Sequence, residues 1–352
     1  MDAFTYSINP GTIVFGAGRR NELGRWLDSL GSRRALLLST PHQADESRDF
    51  AAQLGDRIVG HFDGARMHTP VDTTLEALAF AEVREADCLV SFGGGSTTGL
   101  GKAIALRTDL PQIAIPTTYA GSEVTPILGQ TEGGRKTTLR SPKVLPEIVI
   151  YDPELTIGLP VRMSVTSGLN AIAHAAEGLY SAEANPIASL MAADGMAALA
   201  DGLRGVVRAP TDLAARTRAL HGAWLCGTVL GTVGMALHHK ICHTLGGSFD
   251  MPHAETHAVM LPHTIGYNAK AVPEKLAPVG NIFGGSPGQA LYDFSASLGA
   301  PLTLAELGMR REDLDHAAEI ATASPYPNPR PLTREDIRNL LEDAFTGRRP
   351  EL

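Results

Sequence analysis

The chain has 352 residues and a mass of 37.2 kDa, with 43% apolar and 19% charged residues. This composition excludes a disordered or fibrous chain. The formal charge is −8, from 30 Lys+Arg against 38 Asp+Glu, and no long basic run occurs, so no nucleic acid and no membrane is expected as a partner.

A small anionic substrate stays compatible with that charge, because a basic pocket can sit in an acidic protein. Cys88, Cys226 and Cys242 have neither disulfide-framework nor zinc-knuckle spacing, which fits a reducing compartment. No basic-then-apolar leader opens the sequence, and no run of about 18 apolar residues occurs. The expectation is a cytoplasmic enzyme.

In chain order, residues 34–39 read as a buried strand that ends at Ser39-Thr40. Asp72 is expected to cap a helix whose apolar face carries Leu75, Leu78, Ala79 and Val83. Residues 88–92 form a second buried strand, stopped by Gly93-Gly94-Gly95. Residues 99–107 read as helix, and 112–115 and 147–151 as two further strands. Strands alternating with helices predict a doubly wound parallel sheet, an α/β domain over 1–157. After Pro153 the strand signal fades. Helical spacing dominates 163–181, 187–205, 212–235, 236–246, 254–270, 286–298, 310–323 and 333–345. This predicts an all-α domain over 158–352.

The glycine run joins a strand to a helix. Without side chains, Gly93, Gly94 and Gly95 let the backbone approach a bound group closely. The helix N-terminus beyond them suits a pyrophosphate, with Ser96 and Thr97 adding hydroxyls. Thr117, Thr118 and Ser122 follow the strand 112–115, where an α/β sheet places ligands. The same hydroxyls also serve as helix caps. Many NAD sites carry an acidic residue at the first strand end, to accept from the ribose. Thr40 stands there uncharged, so NADH is expected, with NADPH tolerated.

The histidines are unevenly placed. Asn170 and His174 share a helix face at i, i+4, and His239 and His243 repeat the spacing, with His253 ten residues on. Convergence on one polar cleft is the better reading of the set. Spacing alone leaves open a metal site or a metal-free site of histidine acids and bases.

With these motifs the chain resembles the iron-containing alcohol dehydrogenase family over nearly its whole length. The resemblance rests on residues 14–18, 93–96, 116–118 with 121–123, 170–174, and 239–246 with Pro252-His253. It implies an N-terminal dinucleotide-binding domain, a helical C-terminal domain, an active site in the cleft between them, NADH or NADPH as cofactor, and a homodimer. Metal-dependent members carry Asp, His, His, His where this chain has Asn170, His174, His239 and His253. Asn at the first position, Gly99 where alcohol-oxidising members usually have an acid, and residues 326–331 point to the branch that reduces 2-maleylacetate. That reaction belongs to the breakdown of aromatic compounds.

The implied chemistry is hydride addition to an alkene conjugated to a ketone, through an enolate that needs no metal. His243 is expected as general acid, His253 or His239 as holder of the enolate oxygen, and Asn170 as an N–H donor. For the dicarboxylate substrate Arg330 is the first choice, with Tyr326, Lys136 and Lys240 as further contacts. Cys242 reads as a small buried hydrophobe. The rivals are a metal-dependent alcohol or polyol dehydrogenase, a lyase resembling dehydroquinate synthase, and a non-catalytic dinucleotide sensor.

Overall fold

The computed structural model describes residues 11–351 together with Phe4, Tyr6 and Asn9, leaving out the side chains of Arg135 and Lys136. The chain divides into two compact units, Ile8–Leu159 and Pro160–Leu352. The strands of the first are β1 (Thr12–Phe15), β2 (Ala35–Leu38), β3 (Ile58–Phe62), β4 (Cys88–Gly93), β5 (Gln112–Pro116), β6 (Ile127–Glu132), β7 (Arg135–Arg140) and β8 (Ile148–Tyr151). Its helices are α1 (Leu23–Ser29), α2 (Ala44–Ala52), α3 (Val71–Val83) and α4 (Gly95–Thr108).

Six strands form one parallel sheet in the order β1-β8-β5-β4-β2-β3. Its inner strands are apolar on both faces because both faces are covered. Leu37, Val90, Ile113 and Ile150 point to one side, against Leu23 and Leu27 of α1 and Phe50 of α2. Leu36, Leu38 and Leu89 point to the other, against Ala77 and Ala81 of α3 and Leu100 and Ile104 of α4.

The helix α3 corrects the expected face. It buries Thr73, Thr74, Ala77 and Ala81, while Leu75 is 52% and Val83 81% exposed. Small side chains let α3 lie close on α4, and that contact overrides the apolar stripe. Asp72 is not the cap. Pro70 takes the N-cap position, and Asp72 accepts from Thr73 N at 2.6 Å within the first turn.

A hairpin not expected from the sequence joins β6 to β7. Gly133 and Gly134, at φ 55° and 77°, form its two-residue turn.

The second unit is helical: α5 (Val161–Gly178), α6 (Pro186–Arg208), α7 (Leu213–Thr232), α8 (Leu237–Ser248), α9 (His253–Ala269), α10 (Pro273–Phe283), α11 (Pro287–Ser297), α12 (Leu314–Thr322) and α13 (Arg334–Thr346). Asn185, Asp212 and Thr333 cap α6, α7 and α13 with their side chains. The unexpected helix is α10. It contains Pro278 and Gly280, which mask its periodicity, yet Leu276 and Val279 are buried. α5 is the central rod, buried almost all round by α6, α7 and α9. No single helix among the described residues is long and apolar enough to cross a membrane.

Candidate active site

In the first unit β3 and β4 lie on opposite sides of β2. The winding therefore reverses at the carboxyl ends of β2 and β4, the place where open parallel sheets bind ligands. Thr40 lies just beyond β2, at the N-cap of a short turn, and Gly93 to Gly95 follow at the end of β4. Gly93 has φ +153°, and a Cβ there would lie 2.4 Å from Thr97 Oγ1 and 2.9 Å from Gln43 Oε1. A Cβ on Gly94 would lie 2.8 Å from Thr118 Cγ2. Gly95 is exposed and Ser96 half-buried on the first turn of α4. Thr97 Oγ1 is buried with no hydrogen-bond partner. A bare backbone, a helix N-terminus and an unpartnered hydroxyl fit the pyrophosphate of a dinucleotide.

Gln43 is a neighbour that sequence reasoning missed, and Nε2 of this side chain donates to Thr117 Oγ1 at 3.0 Å. A glutamine in a turn carries no sequence signal of its own. Ser122 is tied to the helix α4. Its carbonyl and hydroxyl both accept from the buried Lys102 ammonium, so it anchors the loop. Lys102 also donates to the carbonyls of Thr125 (2.7 Å) and Ile127 (2.9 Å). Burial pushes Lys102 down to about 7, opposed by the charge of Glu123. Glu123 is itself buried, pushed up by desolvation, and accepts from Tyr151 Oη at 2.8 Å. Gly99 faces Thr69: a Cβ at 99 would lie 2.3 Å from Thr69 Oγ1. An acidic side chain there would require Thr69 to move.

The histidines gather in the second unit, on α5, α8 and α9. Glu177, fully buried on α5, organises them. Its carboxylate accepts from the backbone N–H of His238 (2.7 Å) and His239 (3.3 Å), from Tyr180 Oη (3.2 Å) and from His239 Nδ1 (2.5 Å). A carboxylate only accepts, so Nδ1 of His239 carries the proton. Nε2 of the same ring shares a hydrogen bond with His174 Nδ1 at 2.9 Å. His174 Nε2 in turn faces the Asn170 amide nitrogen at 3.4 Å. Asn170 Oδ1 is left buried without a partner.

A second directed chain runs beside the first. Thr264 Oγ1 donates to Met260 O at 2.9 Å and so accepts from His238 Nδ1 at 2.9 Å. His238 Nε2 accepts from His257 Nδ1 at 2.9 Å, which leaves His257 Nε2 bare, buried and unpartnered. Burial and the neighbouring histidines hold both rings well below the usual imidazole range, hence neutral. His257 links the cluster: its ring centroid lies 4.5 Å from His253, 5.1 Å from His239 and 6.2 Å from His174. His243 lies 6.0 Å from His239 and is exposed. Glu177, His238 and His257 were not singled out from sequence. The i, i+4 spacing of His253 and His257 was the available signal.

His239 turns Nδ1 to Glu177 and Nε2 to His174. One of the two hydrogens of the Asn170 amide is directed at His174. A divalent metal is held by lone pairs aimed at one point. A neutral amide, Asn170, stands at the family's acidic position beside His174 and His239.

Arg330 stacks its guanidinium 3.8 Å over the Tyr267 ring and donates to Tyr267 O at 3.3 Å. Its loop is pinned by reciprocal amide bonds between Asn328 and Asn268, at 2.8 and 3.0 Å. Lys240 lies 5.9 Å over the Tyr326 ring. Tyr326 Oη is buried and unpartnered, and burial with the charge of Glu177 pushes its ionisation up, so it remains a donor. Lys136 lies on β7, and its side chain lies outside the described residues.

Sequence profiles of the iron-containing alcohol dehydrogenase family match residues 10–153, and those of its C-terminal domain match 164–345. The chain is 61% identical to a maleylacetate reductase of Rhizobium sp. (strain MTP-10005) over 351 residues, covering 100% of both chains. It is 53% identical to the maleylacetate reductase of Burkholderia cepacia, covering 99% of this chain and 100% of the other. The crystal structure of maleylacetate reductase from Agrobacterium tumefaciens superposes with a TM-score of 0.97 at 59% identity, covering 99% and 100%.

Proposed function

The chain belongs to the iron-containing alcohol dehydrogenase family, and within it we propose a maleylacetate reductase that uses NAD(P)H without metal. The observation that supports the metal-free reading is Asn170, a neutral amide where metal-dependent members carry Asp, joined to the Glu177–His239–His174 chain of hydrogen bonds. The relatives named as maleylacetate reductases support the reaction. The alcohol-oxidising and lyase readings are not favoured.

NAD(P)H, when bound, supplies the hydride. Gly93 to Gly95, Ser96, Thr97, Thr117 and Thr118 hold its phosphates and ribose, and uncharged Thr40 admits NADH and, less well, NADPH. Hydride adds to the alkene carbon β to the ketone, and charge spreads into an enolate. His253 holds the enolate oxygen. It is the first residue of α9, where the helix dipole favours developing negative charge. His243 gives its proton to the carbon α to the ketone and recovers one from solvent, to which it is exposed. Hydride and proton together saturate the double bond. Glu177 positions His239 and His174, and Arg330, Tyr326 and Lys240 hold the carboxylates.

The reading also carries a cytoplasmic location, supported by three buried free cysteines, and a homodimer. The test is NADH oxidation by 2-maleylacetate with chelator-stripped protein checked for residual metal. Undiminished turnover is expected. Turnover that vanishes and returns with zinc or iron would overturn the metal-free mechanism, and no turnover under either condition would overturn the reaction.

A further inference from the structure

His238, Cys242 and His257 each offer one ligand atom, and these atoms all lie within 4.8 Å of one another. All three residues are buried, on α8 and α9, and none stands at the family's ligand positions. His238 Nε2 lies 3.7 Å from Cys242 Sγ and 2.9 Å from His257 Nδ1. Tetrahedral zinc, at about 2.0–2.1 Å from nitrogen and ~2.3 Å from sulfur, spaces its ligands by roughly 3.3–3.6 Å. The His238–Cys242 separation is close to that spacing, and the His238–His257 pair must open by a few tenths of an ångström. The tautomers assist. Thr264 fixes the proton of His238 on Nδ1, which leaves Nε2 bare. His257 can pass its Nδ1 proton to the unpartnered Nε2 of the same ring, which frees Nδ1. Thiolate and imidazole together select soft or borderline cations.

We propose that His238, Cys242 and His257 form a binding site for a soft divalent cation of the zinc class, distinct from the family's metal position, and that filling it inhibits the enzyme. On binding, the Cys242 thiol releases one proton to solvent, sulfur and two imidazole nitrogens donate to the cation, and water completes the shell. Nothing is oxidised or reduced. The inhibitory half rests on the reductase reading. The cation would break the His238–His257 hydrogen bond and turn the His257 ring, whose centroid lies 4.5 Å from His253 and 5.1 Å from His239, so it would displace the rings that the reductase reading uses. Burial predicts slow onset.

The test has two arms. In the first, metal-free protein is titrated with Co²⁺ and read by absorption. A thiolate-to-cobalt charge-transfer band is expected in the wild type and none in Cys242→Ala. This arm needs no activity, so it stands whether or not the reductase reading holds. In the second, Zn²⁺ is added to the NADH–maleylacetate assay. Cys242→Ala should keep basal turnover and raise the inhibitory zinc concentration about a hundredfold or more, since a direct ligand outweighs the ~10–100-fold effect of a supporting partner. Absence of the cobalt band in the wild type, or equal zinc inhibition in both proteins, would overturn the proposal. Cobalt binding that persists in Cys242→Ala and is lost in His253→Ala would instead assign the cation to the family's position.

Discussion

Glu177 has four donors aimed at two oxygens, and this single residue orients His239 and, through it, His174. Glu177→Gln must point an NH₂ at two of those donors. The expected result is a kcat lower by about 10²–10⁴-fold, the range of general acid–base assistance, with the KM for NADH unchanged. An unaltered kcat would remove Glu177 from the mechanism. Arg330 is pre-set by Tyr267 beneath it and by the Asn328–Asn268 pair behind it. Arg330→Ala should raise the KM for maleylacetate about tenfold or more, as expected for a charge-assisted hydrogen bond of ~1.5–3 kcal/mol, and leave the NADH KM in place. Equal changes in both would retire that assignment. Asn170, His174, His239, His243 and His253 were legible from spacing. The direction of their hydrogen bonds was not, because it depends on Glu177 and Thr264 reaching across from other turns and helices.

At the scale of elements, the turn from β4 into α4 combines a positive φ, two close approaches and a helix N-terminus. Gly93→Ala combines a disfavoured backbone, worth about 1–3 kcal/mol, with a contact that displaces Thr97. NADH affinity should fall about tenfold or more, while thermal stability falls modestly. Measured NADH binding by fluorescence equal to that of the wild type would show that the turn does not cradle the cofactor. Buried strands and long helices were readable as apolar runs and 3.6-residue periods. Several elements were not, β1, β3, α1 and α2 among them. The β6–β7 hairpin left only Gly133-Gly134 as a mark, and Pro278 interrupts the pattern of α10. The face of α3 was misread because Thr and Ala pack closely where Leu and Val would not.

For the whole molecule, buried neutral histidines predict acid lability. Burial pushes His263 down to about 4, and His238 and His257 lie well below their ordinary value. The unfolded chain takes up those protons below about 6.5 while the folded one does not. The unfolded state therefore binds more protons, and stability falls as pH drops from about 6.5 toward 4. Urea midpoints measured from pH 8 to 4.5 should be level above 6.5 and decline below it, and His263→Phe should flatten part of the decline. A flat wild-type profile would contradict the neutral buried rings.

Hydrophobic period and punctuation by Gly and Pro are local properties, so the sequence by itself determined the α/β-then-helical order, the glycine turn and the family. The contacts that tune the site join residues far apart in the chain. Glu177 to His239, Asn268 to Asn328 and Lys102 to the 122–127 loop are hydrogen bonds between side chains and partners on other elements. No spacing rule encodes them, and each exists because burial leaves a polar group no partner but the one the fold brings to it. Only the tertiary structure decided which partner each of these histidine nitrogens meets, because those partners lie on other turns and helices.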